Sequence, residues 1–288
     1  MKRFKVAIGI LTRNSEKTIR NCLMSIVNSS FPKDQMELII VDGLSEDKTL
    51  EIVEDILGVM KINYKVLIDE KLGYLGHARQ MVVECCDADY VLWVDSDAVV
   101  PFTYIESQIR YIEKSNAAIV FPSSILAINT HSALARMQGY AWSIHTINAL
   151  KTGKTPFLST LGAIMKVDII REVGGFDTQR FGGGEDLELI LKIKRKGYKV
   201  AVNPTAKIYH HMKEEWHDIV KYLRFWEFGS VIETARQKPR IVTYETAGLL
   251  KSALAYVGLS LLAFREFKDL ACLLIPIYMV LWKIISLA

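Results

Sequence analysis

Hydrophobic and polar positions alternate along the chain in blocks that predict strands and helices in turn. Short continuous apolar runs such as KVAIGIL, ELIIVD and YVLWVD predict buried strands, because a strand covered on both faces has no polar side. The stretches between them carry apolar residues at helical spacing, as in residues 16–27 and 75–86. Strand and helix therefore alternate from the N-terminus, which predicts an α/β fold with a mostly parallel sheet.

The pattern becomes less regular after residue 121. A strand-like GAIMKV is followed by glycines at residues 182–184 and by the helical pattern EDLELILKIKRK, which Gly197 closes. We predict that residues 1–212 form one catalytic domain.

The C-terminus contains two long apolar segments, residues 246–264 and 270–288. Each is about long enough to cross a bilayer at 1.5 Å rise per residue, and each contains a single lysine. The charged residues 265–269 form a short turn between them. This pattern predicts two apolar helices that form a membrane hairpin over residues 246–288, with packing in a soluble core as the alternative.

Charge and cysteine content bear on the location of the chain. Basic residues gather in a predicted amphipathic juxtamembrane region, residues 213–245, which favours a cytoplasmic catalytic domain at the cell membrane, although a solvated helix face explains them equally well. The net charge of +4 is modest, and we expect no nucleic-acid partner. The four cysteines form no C-x-x-C pair, which favours a reducing compartment. The N-terminus has no small-residue cleavage site and predicts a first strand rather than a signal peptide.

Polar side chains follow several of the predicted strands. Thr12 and Asn14 follow the first strand, Asp42 ends the second, and Asp95 and Asp97 end the fourth. The carboxyl ends of parallel strands lie at one edge of a sheet, where open α/β sheets bind their ligands. We therefore assign these residues to a ligand site.

The motif Asp95-Ser96-Asp97 has several interpretations. A calcium loop would need an oxygen ligand at Val99, and a phosphate loop ending in the GKT of residues 153–155 would need glycine where Asn148 stands. Strand-end aspartates can also simply cap the next helix. Mg²⁺ or Mn²⁺ is commonly held by one or two carboxylates together with substrate phosphates, so a metal-diphosphate site is the fourth interpretation.

Motifs in a fixed order favour the metal-diphosphate site. Together they resemble the family 2 glycosyltransferases, which have the Rossmann-like GT-A fold, over about residues 4–211. The motifs are VAIGILTRNSEKTI, LIIVDGLSEDKT, GHARQMVVECCDADYVLWVDSD, VGGFD and GEDLEL.

The resemblance implies a role for each matched position on the donor side. Asp42 would hydrogen-bond the nucleotide base, and Asp95 would hydrogen-bond the ribose or sugar. Arg79 would face the diphosphate or donor sugar. Thr12 and Asn14 would complete the nucleotide-sugar site.

The same resemblance implies that Asp97 binds the divalent metal, Mg²⁺ or Mn²⁺, and that His210 completes its shell. A surface histidine without that role is the alternative for His210. Two positions depart from the family pattern. Arg13 stands where a tyrosine or similar residue usually lies against the base, and Gln80 replaces an asparagine.

Glu185 and Asp186 begin a predicted helix after three glycines. The helix dipole alone favours acidic residues there. The resemblance implies instead that Asp186 is the general base and Glu185 part of the acceptor loop. It implies inverting transfer from a nucleotide-diphosphate sugar to a hydroxyl. Because the apolar segments and the basic residues before them would hold the site at a membrane surface, we expect that hydroxyl to belong to a lipid-linked or cell-surface glycan. A polyprenyl-phosphate acceptor and a non-catalytic nucleotide-sugar-binding membrane module are the alternatives.

Overall fold

The computed structural model describes residues 4–60, 62–152, 159–225 and 249–287. The strands within them are β1 Phe4–Thr12, β2 Met36–Asp42, β3 Asn63–Ile68, β4 Ala88–Trp93, β5 Ala98–Val99, β6 Ile119–Ala127, β7 Ile164–Lys166 and β8 Val200–His210. The helices are α1 Ile19–Val27, α2 Thr49–Val59, α3 Leu75–Cys85, α4 Tyr104–Ser115, α5 Ala133–Thr152, α6 Val167–Glu172, α7 Glu185–Arg195, α8 (described over residues 216–225), α9 Leu249–Phe267 and α10 Ile275–Leu287.

The strands form one sheet in the order β3-β2-β1-β4-β7-β6-β8-β5. Strand β1 pairs in parallel with β2 and β4, and β2 pairs in parallel with β3. Strand β7 runs antiparallel to both β4 and β6. The predicted α/β fold is confirmed, and the parallel arrangement holds for β1 to β4, while the sheet as a whole is mixed.

The continuous apolar runs form strands because helices cover both faces of the sheet. Every residue of β2 is buried, for example. In β1, Gly9 allows Trp93 of β4 to pack closely, since a Cβ atom at Gly9 would lie 2.7 Å from the indole ring. Strands β2 and β3 lie on one side of β1, and β4 lies on its other side. The carboxyl ends of β1 and β4 therefore flank a crevice of the kind that binds ligands in open α/β sheets.

The chain divides into two compact units. The first contains β1 to β5, β7, the first half of β6, nearly all of β8, and helices α1 to α4, α6 and α7. The second contains α5 and helices α8 to α10. The second unit has its own apolar core, which includes Met137, Ile144, Leu223, Ala263 and Tyr278.

Polar contacts also join elements within the second unit. Asp269 follows α9 and accepts hydrogen bonds from Arg136 Nε at 2.6 Å and from the Tyr140 hydroxyl at 2.9 Å, both on α5. The Tyr140 ring stacks on Phe267 with centroids 4.4 Å apart. The Asp269 carboxylate thus ties the end of α9 to α5.

Within the described ranges, no helix combines the length and the apolar character that a membrane crossing requires. The predicted hairpin of two spans is therefore not found there. In the second predicted segment a 3-10 turn at Leu270–Leu274 leaves α10 with 13 residues, fewer than the roughly 20 that a span needs. The predicted basic region, residues 213–245, lies largely outside the described residues.

Candidate active site

A cavity of about 300 Å³ lies at the carboxyl ends of β1 to β4. The loops that leave these strands and the start of α3 form its wall. The lining includes Thr12, Asp69, Lys71, Leu72, Tyr74 and Asp97. The cavity therefore lies at the sheet edge where the strand-end residues predicted a ligand site.

The two predicted metal ligands, Asp97 and His210, come together in the structure with Asp95, the predicted ribose or sugar ligand. Asp95, Asp97 and His210 each offer one ligand atom, and these atoms lie within 4.8 Å of one another. Two carboxylates and an imidazole form a donor set that suits a divalent cation such as Mn²⁺ or Mg²⁺. Asp95 and Asp97 are half-buried, so both remain accessible to a ligand. The residues present therefore fit the predicted metal site, at the edge of the sheet that also carries the cavity.

Asp42, the predicted base ligand, is held by its own loop. Its side chain is fully buried, and its two carboxylate oxygens accept hydrogen bonds from Ser45, at 2.8 Å from the backbone N–H and 2.5 Å from the hydroxyl. Asp42 does not belong to the described residues that line the cavity. The carboxylate therefore shapes the loop after β2.

Thr12 and Asn14, which were both predicted to bind the donor, lie in different surroundings. Thr12 is buried and lines the cavity. Asn14 has a left-handed backbone with φ of 48°, and its side-chain oxygen accepts a hydrogen bond from the Glu46 N–H at 2.9 Å. Its own N–H donates to Ser45 Oγ at 2.8 Å. Asn14 thus joins the loops after β1 and β2, and Arg13 beside it lines the cavity.

Arg79 forms a buried ion pair with Glu185. Arg79 Nε donates to Glu185 Oε1 at 2.9 Å, and the two side chains are 5% and 0% exposed. The guanidinium also lies 5.0 Å from the Trp93 ring centroid. Glu185 Oε2 has no hydrogen-bond partner within the described part of the chain. The two predicted site residues are therefore joined, an arrangement that sequence reasoning did not foresee.

Asp186 lies beside this pair at the start of α7. The preceding Gly184 has φ of 92°, a left-handed conformation that glycine adopts without strain, and this turn leads directly into the helix. Burial raises the pKa of Asp186 to about 7, and the Glu185 carboxylate also raises it. Arg79 and the N–H groups of Leu187 and Thr160 oppose this shift. A carboxyl with a pKa near neutrality is suited to accept a proton at physiological pH.

Sequence reasoning missed Asp69 and His77. Asp69 directly follows β3 and lines the cavity, and its Oδ1 atom lies 2.9 Å from His77 Nδ1. The signal was present, because the strand-end argument applied to Asp42 applies equally to the first residue after β3. The prediction ended that strand at residue 68 and did not consider the aspartate that follows.

Known proteins resemble this chain in sequence. The model of glycosyl transferase family 2 matches residues 7–174, more than half of the chain. The poly(ribitol-phosphate) beta-N-acetylglucosaminyltransferase of Staphylococcus aureus is 31% identical over 117 residues, covering 40% of this chain and 20% of that protein. The dolichyl N-acetyl-alpha-D-glucosaminyl phosphate 3-beta-D-2,3-diacetamido-2,3-dideoxy-beta-D-glucuronosyltransferase of Methanococcus voltae is 24% identical over 226 residues, covering 75% of this chain and 70% of that protein. The matched region thus spans only a fifth of the staphylococcal protein's length.

Solved structures share the fold. Residues 1–349 of the staphylococcal protein, solved with UDP-GlcNAc, superpose with a TM-score of 0.56 at 20% identity, covering 81% of this chain and 67% of that one. A mannosyltransferase from Pyrobaculum calidifontis, solved with GDP-Man and Mn²⁺, superposes with a TM-score of 0.66 at 15% identity, covering 100% of this chain and 88% of that one. The predicted GT-A fold is confirmed. The chain belongs to glycosyl transferase family 2.

Proposed function

We propose that this glycosyltransferase moves a sugar from a nucleotide-diphosphate sugar to an acceptor hydroxyl, with inversion at the anomeric carbon and with a divalent metal. The observation that carries the proposal is the pairing of two acidic sites of different character. Half-buried carboxylates at the cavity suit a metal and a diphosphate, and a buried carboxyl with a pKa of about 7 suits a proton acceptor.

The donor site is supported by the cavity and by the relatives. The cavity extends from Asp97 to Asp69 across the strand ends, which suits an elongated donor. The staphylococcal structure contains UDP-GlcNAc, and the archaeal one contains GDP-Man and Mn²⁺. A metal held by Asp95, Asp97 and His210 would neutralise charge on the diphosphate as it leaves.

The buried carboxyl supports the base role. In the proposed step the acceptor oxygen attacks the anomeric carbon, and the bond to the diphosphate oxygen breaks. The acceptor proton passes to the carboxylate of Asp186. Attack on the face opposite the leaving group inverts the anomeric centre. Glu185, the residue before Asp186, packs against helix α3, where a Cβ atom at Gly76 would lie 3.2 Å from Glu185 Cβ. Leu75 and Ala78, also on α3, line the cavity.

The acceptor we propose is a hydroxyl of a lipid-linked or cell-surface glycan. The name of the Methanococcus relative describes a dolichyl-linked acceptor, and the name of the staphylococcal relative describes a poly(ribitol-phosphate). A cytoplasmic position at the cell membrane belongs to the same proposal. It is supported by the basic residues at positions 221–240 of the sequence, which are Lys221, Arg224, Arg236, Lys238 and Arg240. It is also supported by exposed apolar side chains on the C-terminal elements, among them Leu261, Leu270 and Ile277.

The test is transfer by Asp186→Asn with the donor saturating. Purified protein should release nucleoside diphosphate from at least one nucleotide sugar, and the variant should lose about a hundredfold or more of hydroxyl transfer. Asp168→Asn is a matched control, because Asp168 also lies in a first helical turn and accepts the N–H of the next residue, but it is exposed. Near-normal transfer by Asp186→Asn to a polyprenyl phosphate, which is already ionised, would favour the phosphate acceptor instead.

A further inference from the structure

The order of the strands predicts where the nucleotide base of the donor would lie in the cavity. The ends of β3, β2, β1 and β4 lie side by side, with Asp69 after β3 and Asp97 after β4. Three strand spacings of about 4.8 Å separate these ends by roughly 14 Å. This span suits a nucleoside diphosphate, so a diphosphate near Asp97 would direct the base towards Asp69.

Asp69 has one carboxylate oxygen held by the protein and one that is not. The side chain is 4% exposed. Oδ1 accepts a hydrogen bond from the Lys71 N–H at 2.9 Å and lies 2.9 Å from His77 Nδ1. Because a carboxylate has no proton to donate, Nδ1 is the protonated nitrogen of this pair. Oδ2 accepts no hydrogen bond from the residues that the structure describes, and Asp69 lines the cavity.

Asp42 differs from Asp69 in each of these respects. Both of its carboxylate oxygens accept hydrogen bonds from Ser45, and its side chain has no exposed surface. A nucleotide base could hydrogen-bond this carboxylate only if the loop after β2 moved so that Ser45 no longer bonded it. Asp69 needs no such rearrangement.

We propose that Asp69, rather than Asp42, reads the base of the donor nucleotide, a proposal that rests on the function proposed above. Asp69 Oδ2 accepts a ring N–H of the base. Arg13 and Lys71 line the same cavity and supply donors for carbonyl oxygens beside that N–H. Uracil and guanine present a ring N–H next to a carbonyl, whereas cytosine and adenine present a ring acceptor there. Asp69 therefore selects a uracil-type or guanine-type base.

The experiment compares the binding of UDP, GDP, CDP and ADP by calorimetry in the presence of Mn²⁺. The unaltered protein should bind UDP or GDP at least about tenfold more tightly than CDP and ADP, the effect of one hydrogen bond to a charged group. In Asp69→Asn, the amide oxygen keeps the bonds from Lys71 and His77, and the amide N–H₂ faces the cavity. The affinity for the preferred diphosphate should fall at least about tenfold, and CDP should gain relative to UDP.

Two further variants decide between the aspartates. Asp42→Asn should keep the ranking of the four diphosphates, and Asp69→Ser, which lacks the carboxylate, should erase the preference. A ranking that changes in Asp42→Asn but not in Asp69→Asn or Asp69→Ser would overturn the inference and leave the proposed function intact. Failure of all four diphosphates to bind the unaltered protein would overturn the proposed function itself. Thermal unfolding without nucleotide confirms that each variant is folded.

Discussion

The acidic pair Asp95 and Asp97 and the acidic pair Glu185 and Asp186 look alike in sequence and differ in their surroundings. Asp95 and Asp97 lie half-buried at the edge of the sheet, within reach of one cation together with His210. Glu185 and Asp186 are 0% and 3% exposed, and Arg79 pairs with Glu185 and lowers the pKa of Asp186. Both pairs are strand-end or helix-start carboxylates, so local sequence does not separate them.

The difference teaches that burial decides what a carboxylate can do. An accessible pair remains available to a hard cation, which prefers oxygen ligands. A buried pair with one guanidinium holds more negative charge than the site can stabilise, so the pKa of Asp186 rises and the residue can take up a proton. In the proposed function, the accessible pair would therefore bind the metal and the buried pair would supply the base.

The largest effect that we predict comes from breaking the buried pair. Arg79→Met should lower the free energy of unfolding by about 3–5 kcal/mol, because it leaves Glu185 buried without its counter-ion. Chemical denaturation measures the change. Lys5→Met, which removes an exposed pair with Glu113 at 2.6 Å, is the control and should cost about 1 kcal/mol at most. Equal losses in the two variants would mean that the buried pair is no more important than the surface pair.

The pH dependence of stability sharpens the comparison. The folded-state pKa of Asp186 is about 7 and the ordinary value is 3.8, so the folded protein binds more protons between these values. The free energy of unfolding should therefore fall as pH rises from 4 to 8, by as much as about 4 kcal/mol. The free energy of unfolding of Asp186→Asn should fall less over this range. At pH 8 the variant should therefore be more stable than the unaltered protein. Parallel curves for the two proteins would show that Asp186 titrates normally.

Metal affinity tests the accessible pair. Asp97→Asn should reduce the affinity for Mn²⁺ by at least about a hundredfold, since even residues outside the ligand shell can cost 10- to 100-fold when they are replaced. Calorimetry with Mn²⁺ alone measures this change without any need for turnover. Asp186→Asn should bind Mn²⁺ as the unaltered protein does. If both variants lost the metal equally, the separation of roles between the two pairs would fail.

The smallest effect concerns Ser96, the residue between Asp95 and Asp97. Ser96 Oγ lies 2.9 Å from Ser15 Oγ, and this hydrogen bond links the loop after β4 to the loop after β1. Ser96→Ala should lower stability by about 1 kcal/mol, the net value of one such bond, and weaken Mn²⁺ binding by a few fold. Thermal unfolding and the same calorimetric titration check both values. A change as large as that of Asp97→Asn would assign Ser96 a direct part in metal binding.

Several elements could be predicted because their signals are local. The helix expected over residues 75–86 is α3, Leu75–Cys85, and the pattern that begins at Glu185 is α7. The C-terminal segments were predicted less well, since hydropathy does not show where a 3-10 turn will interrupt an apolar stretch, as it does at Leu270–Leu274.

The sequence by itself determined the strand and helix pattern, the family motifs, and the placement of Asp95 and Asp97 at a strand end. These follow from side-chain periodicity and from neighbours along the chain. Only the tertiary structure decided that Arg79 pairs with Glu185, 106 residues away, and that Asp69 faces the cavity. Burial and long-range partners depend on the order of strands in the sheet, and these set the energy of a charge far more than its neighbours in sequence do.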